Sequence, residues 1–150
     1  MNDKANDKAN DKTNDKTNDK ADKKSKFDWV TSRSSCSLPR VFAALREQVE
    51  EDVKTRNDLR PNYAPYEFSM TEDTADFTVH LKAKEVERSV TFSLGEHAIV
   101  VRNNDKNGAM FQVTAILDDH GACTLSANEE EREFWQIRRM ALEDLMFRQE

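Results

Sequence analysis

Few side chains in this sequence have chemistry to offer, and they are scattered. The three histidines are His80, His97 and His120. His80 falls on the polar side of an alternating stretch, and the other two sit at turns. A metal site would have to combine them with Asp118 and Asp119. The HxH, HExxH and Cys/His spacings that gather ligands on one element are absent, so neither a metal nor another cofactor is expected. Cys36 and Cys123 are the two cysteines. Cys36 lies just before a predicted helix, whose N-terminus could lower a thiol pKa, but no histidine can be placed beside it. Cys123 alternates with core positions and reads as a small buried hydrophobe. Two cysteines without a CxxC do not resemble a secreted disulfide framework. Three glycines in 150 residues leave no room for a glycine-rich phosphate cradle, and no GxSxG occurs. The carboxylates read as solvated helix faces, so no acid/base pair stands out. The expectation is a protein without catalytic residues.

The elements that would position these groups are clearer. From Tyr66 to Leu125 apolar and polar residues alternate, break at turn residues and resume. This predicts an antiparallel meander of about six strands. Phe68, Met70, Phe77, Val79, Leu81, Val90, Phe92, Leu94, Phe111, Val113, Leu117 and Leu125 would face inward. Ser69, Thr78, His80, Thr91, Ser93, Gln112 and Thr114 would face outward, as a solvated sheet face or a shallow polar site. Gly95-Glu96 predicts a tight hairpin. Ile99, Val100 and Val101 form a continuous apolar run, as in a central strand or one covered on both faces.

Two helices flank the meander. The first is predicted over Leu38 to Leu59, with Ser37 as N-cap and Pro39 in the first turn. Leu38, Val41, Phe42, Leu45, Val49 and Val53 fall on one face. The second is predicted to start near Glu129, with Asn128 and Glu131 as a capping-box-like pair. Its apolar arc, Phe134, Trp135, Ile137, Ala141, Leu142, Leu145 and Met146, is wider than one sheet contact needs. Arg138 lies inside that arc, and Met140 and Phe147 lie outside it. The fold class is α+β: N-terminal helix, meander, C-terminal helix, with both helices packed on one sheet face.

Residues 1–26 carry a four-residue NDKA/NDKT repeat with almost nothing to bury, and a disordered low-complexity tail is expected there. Residues 27–150 form the single domain. The net charge is −6; the tail holds eight Lys and six Asp, which leaves −8 for the domain. An acidic domain is a poor ligand for nucleic acid or anionic membranes. No apolar run approaches a membrane span or a signal peptide, so a soluble, cytoplasmic protein is expected.

The surplus apolar surface of the second helix marks the interaction candidates: Trp135, Met140 and Phe147 with Arg138 among them, and Phe27 and Trp29 before the first helix. Aromatic residues and Met are enriched in interfaces. Phe27, Trp29 and Val30 could instead fold back over the domain's own core. The functional expectation is a non-enzymatic interaction module that binds a protein partner or itself. A small-molecule or lipid carrier with a cavity between sheet and helices is the alternative.

The run LSANEEEREFWQIRRMALEDL, Leu125 to Leu145, resembles the last strand and C-terminal helix of pleckstrin-homology domains, where an acidic stretch leads into a helix bearing a Trp, here Trp135. The basic phosphoinositide-binding strand residues of that family are absent, and a long N-terminal helix is not part of its fold. The helix–meander–helix order is similar to that of frataxins, without their Trp- and Gly-containing sheet motifs. Neither resemblance carries site residues across.

Overall fold

The computed structural model describes residues 26–106 and 109–148; the predicted tail therefore lies outside the described residues except for Lys26. By compactness the chain divides after Thr31. On the N-terminal side, the Asp28 carboxylate accepts from the backbone N–H and the hydroxyl of Thr31. Asp28 so caps α1 (Trp29–Ser35). The Thr31 hydroxyl and N–H hold the Asp28 carboxyl below its ordinary range. Phe27, Trp29 and Val30 are all exposed.

The larger unit begins at Ser32 and holds the rest of the fold. Helix α2 (Leu38–Leu59) starts where the capping residues predict: Ser37 is extended and its hydroxyl accepts from the Arg40 N–H. The helix ends because Arg60 precedes Pro61 and takes an extended conformation, which the proline ring favours over α. Val41, Phe42, Leu45, Val49 and Val53 are buried.

The strands are β1 (Tyr66–Glu72), β2 (Asp76–Ala83), β3 (Glu87–Leu94), β4 (Ile99–Asn103), β5 (Ala109–Leu117), β6 (Cys123–Ala127) and β7 (Glu130–Arg132). They form one antiparallel sheet in sequence order, so the apolar run of β4 occupies the centre. Gly95 closes the β3–β4 turn, its N–H donating to the Ala98 carbonyl. A Cβ there would meet that oxygen at 2.8 Å. Phe77 and Phe92 are cross-strand partners with rings stacked at 4.6 Å between centroids, an arrangement that adds about 1 kcal/mol to simple area burial.

Helix α3 (Phe134–Phe147) follows β7, and α2 and α3 cover the same sheet face. The layer between them is filled by Phe77, Phe92, Ile99, Val113, Ile137 and Leu145, each essentially without solvent exposure.

Two expectations need correction. The acidic run after Leu125 is not the start of a helix. Asn128 and Glu129 have positive φ, 54° and 66°, and form a two-residue turn between β6 and the extra strand β7, where Ala127 pairs with Glu130. Mirror-image turns of this kind match the twist of the strands they join and favour Asn. The helix begins at Phe134, with Gln136 Oε1 accepting from the Glu133 N–H at 2.8 Å. The second correction is that Cys123 is exposed and bonded to Cys36 in a disulfide. Cys36 is the buried partner. The bond ties the start of α2 to the start of β6 across 87 residues. Closing a loop of that length removes roughly 4–5 kcal/mol of unfolded-state entropy in the chain-entropy account.

Candidate docking groove between the helices

Helix α3 lies beside α2, and a groove of about 440 Å³ runs between them. Its floor is made by Leu142 and Met146, nearly buried. Leu59 at the C-terminus of α2 stands at 70% exposure on its side. Trp135 and Phe147 line it from the two ends of α3, at 50% and 48% exposure. They stand twelve positions apart, about 18 Å of helix. The Trp135 indole N–H donates to Glu133 Oε1 at 3.0 Å, which leaves the apolar body of the ring as its contribution to the groove.

The rim charges are answered within the chain. Arg138 Nε donates to Asp52 Oδ2 at 2.6 Å, and its Nη1 donates to Gln48 Oε1 at 2.6 Å. An arginine inside an apolar arc thus has a plain reason: it is the polar seam of α3 against α2. Arg139 pairs with Glu143 one turn on, at 3.0 Å.

Arg56 sits under one end of the groove and is the single buried charged residue among the described residues. Its Nε donates to the Met146 carbonyl at 2.8 Å, satisfying an acceptor in the last turn of α3. Its guanidinium lies 4.7 Å from the Phe147 ring centroid, 5.3 Å from Phe68 and 5.7 Å from Tyr66. Such cation–π placements fix the Phe147 ring as well as the arginine. Beside it, the Asn57 amide brackets the outer edge of β1: its Nδ2 donates to the Phe68 carbonyl, and its Oδ1 accepts from the Phe68 N–H. This occupies backbone groups that a sheet edge otherwise leaves open.

Of the six residues singled out by sequence, the structure brings Trp135, Arg138 and Phe147 to one groove. Met140 is half-buried and packs against the core instead. Phe27 and Trp29 are exposed and belong to the N-terminal unit. Sequence reasoning missed Arg56, Leu59 and Asp52. The signal for Arg56 was present, since the series Val49, Val53 continues to position 56 at helical spacing, but a charged residue there reads as the end of the apolar face.

The polar groups elsewhere engage one another. On the outer sheet face Thr78 and Thr91 share a hydroxyl bond at 2.9 Å, Asn104 donates to Ser89 and Thr91, and Thr71 meets His80 at 2.9 Å. A shallow hollow of about 590 Å³ near the β5–β6 end of the sheet is lined mainly by polar residues such as Gln112, Thr114 and Ser126. His97 lies 3.7 Å from Glu96, both exposed. The Ala122 N–H, and behind it that of His120, hold the Asp118 carboxyl low against the effect of burial. Among the described residues no group of three or more His, Cys, Asp or Glu could hold a metal ion. Arg88 joins the three-residue 3-10 turn Asn104–Lys106 to α3 through Asp105 at 2.7 Å and Asp144 at 2.9 Å. Burial opposes the Arg88 charge, but these two carboxylates outweigh it and raise its pKa.

No protein-family model matches the sequence, and no curated protein or solved structure is detectably similar to the chain. Among the described residues no helix is long and apolar enough to cross a membrane.

Proposed function

We propose that this chain is a non-enzymatic interaction module that takes an amphipathic helix of a partner protein into the groove between α2 and α3. The observation that carries this reading is the pair of half-exposed aromatics, Trp135 and Phe147, at the two ends of an apolar floor. Helix-in-groove recognition needs an apolar trough with anchor points spaced over several turns. The rise of about 18 Å along α3 from Trp135 to Phe147 matches roughly three turns of a partner helix. Arg138 and Arg139 already have carboxylate partners, so apolar side chains rather than a strongly charged ligand suit the trough. A carrier with a cavity under the sheet draws no support from a layer filled by Phe77, Phe92 and Ile137. The acidic balance of the chain argues against nucleic acid as the partner.

The test is a helical-peptide library displayed against the full chain, followed by affinity measurements on the selected peptides. Trp135→Ala, Phe147→Ser and Leu59→Glu each alter a side chain that is at least 48% exposed, and the circular dichroism spectrum of each variant checks that it is folded. Each is expected to weaken peptide binding about tenfold or more, the usual cost of losing an interface anchor. If all three variants bind the peptides as tightly as the unaltered chain, the proposal is wrong. Concentration-dependent dimerisation abolished by the same variants would make a second copy the occupant.

A further inference from the structure

The disulfide offers a separate line of argument, independent of the groove. Cys36 and Cys123 are the only cysteines of the chain. They lie 87 positions apart, yet their Cα atoms stand 5.4 Å apart, within the span a bridge requires. The loop they close contains all of α2 and β1 to β5. Such bonds persist in oxidising compartments and are rare where glutathione and thioredoxin keep thiols reduced. The cytoplasmic location expected from the lack of an apolar run long enough for a signal peptide or a membrane span therefore sits poorly with the observed pairing.

We infer that Cys36–Cys123 is a permanent cross-link of the working protein, formed in an oxidising compartment, and not a thiol pair that cycles. Two features support permanence. Cys36 retains only 1% exposure, beside the N-terminus of α2, so a reducing thiolate cannot reach its sulfur in the folded chain. Attack is confined to the Cys123 sulfur, and the Cys36 thiolate it would release stays within bridging distance, 5.4 Å between Cα atoms, where it re-forms the bond by displacing the reductant. Bond formation runs the other way. The Cys123 thiolate attacks the disulfide of a dithiol oxidant, and one oxidant sulfur departs as a thiolate. The Cys36 thiolate then displaces the second oxidant sulfur from Cys123. The protein's two thiols lose two protons and two electrons, and the oxidant leaves as its dithiol.

The experiment uses the full chain in the cells that make it. Acid quenching followed by alkylation and mass analysis reads the state of both cysteines at once. The expected result is an unalkylated chain, lighter than the reduced form by two hydrogens, which takes two alkyl groups only after denaturation and reduction. Finding both cysteines alkylated directly after quenching would overturn the inference. Equilibration of the folded chain in glutathione at the poise of an oxidising compartment is the second arm. The bond should survive there; its reduction with the fold retained would mark a switch and also overturn the inference. The Cys36→Ser, Cys123→Ser double variant should melt roughly 15 °C lower, and an unchanged melting temperature would contradict a structural role. Should that variant not fold, the alkylation and glutathione arms decide alone. Both arms are indifferent to whether the groove binds anything.

Discussion

Arg56 stands where three aromatic rings and the last turn of α3 meet, and its behaviour tests the energetics at the residue scale. Its Nε holds the Met146 carbonyl, and its guanidinium lies over the Phe147 ring that closes one end of the groove. A hydrogen bond from a charged donor contributes about 1.5–3 kcal/mol, and the buried stem adds packing of its own. Arg56→Ala is expected to lower stability by about 3 kcal/mol in urea unfolding. An unchanged midpoint would show that the helix end is held by something else. Some of this was legible in advance. Val41, Phe42, Leu45, Val49 and Val53 follow helical spacing, and all are buried. The partners of Arg56 and Arg138 were not legible, because Met146 and Asp52 lie 90 and 86 positions away. Periodicity reports which face a residue is on, but not what faces it.

At the scale of elements, the meander followed from alternation, and α2 followed from its spacing and its caps. The segment after Leu125 misled for a physical reason. Asn is favoured both as a helix N-cap and in the left-handed conformation of a mirror-image turn, and a run of glutamates suits a helix start. The structure uses Asn128 in the second role and delays the helix to Phe134. Glu129 then holds φ at 66° without the freedom of glycine. A left-handed conformation costs an L-residue with a side chain roughly 1–2 kcal/mol. Glu129→Gly is therefore expected to raise stability by about 1 kcal/mol, after allowing for the greater unfolded-state freedom of glycine. Thermal melting checks this, and a lower melting temperature would mean that the carboxylate does work the backbone argument leaves out.

On the scale of the whole molecule, one sheet face receives both helices, and α2 and α3 leave a trough along their seam. The disulfide links the start of α2 to β6, while Arg138 links α3 to α2. The walls of the trough are therefore anchored to a filled core, which lowers the ordering entropy a partner must overcome. Half the candidate surface was readable from the surplus apolar residues of α3. The other half was not, because Leu59 and Arg56 join it only once the two helices lie side by side. The outer sheet face is the natural contrast, with Thr78, Thr91, Ser89 and Asn104 bonded to one another. Backbone amide chemical-shift mapping with a selected amphipathic helical peptide tests the docking surface most directly. The account predicts shifts concentrated at Asp52 to Leu59 and at Trp135 to Phe147. Shifts concentrated instead around Thr78, Thr91 and Gln112, with the two helices silent, would contradict it.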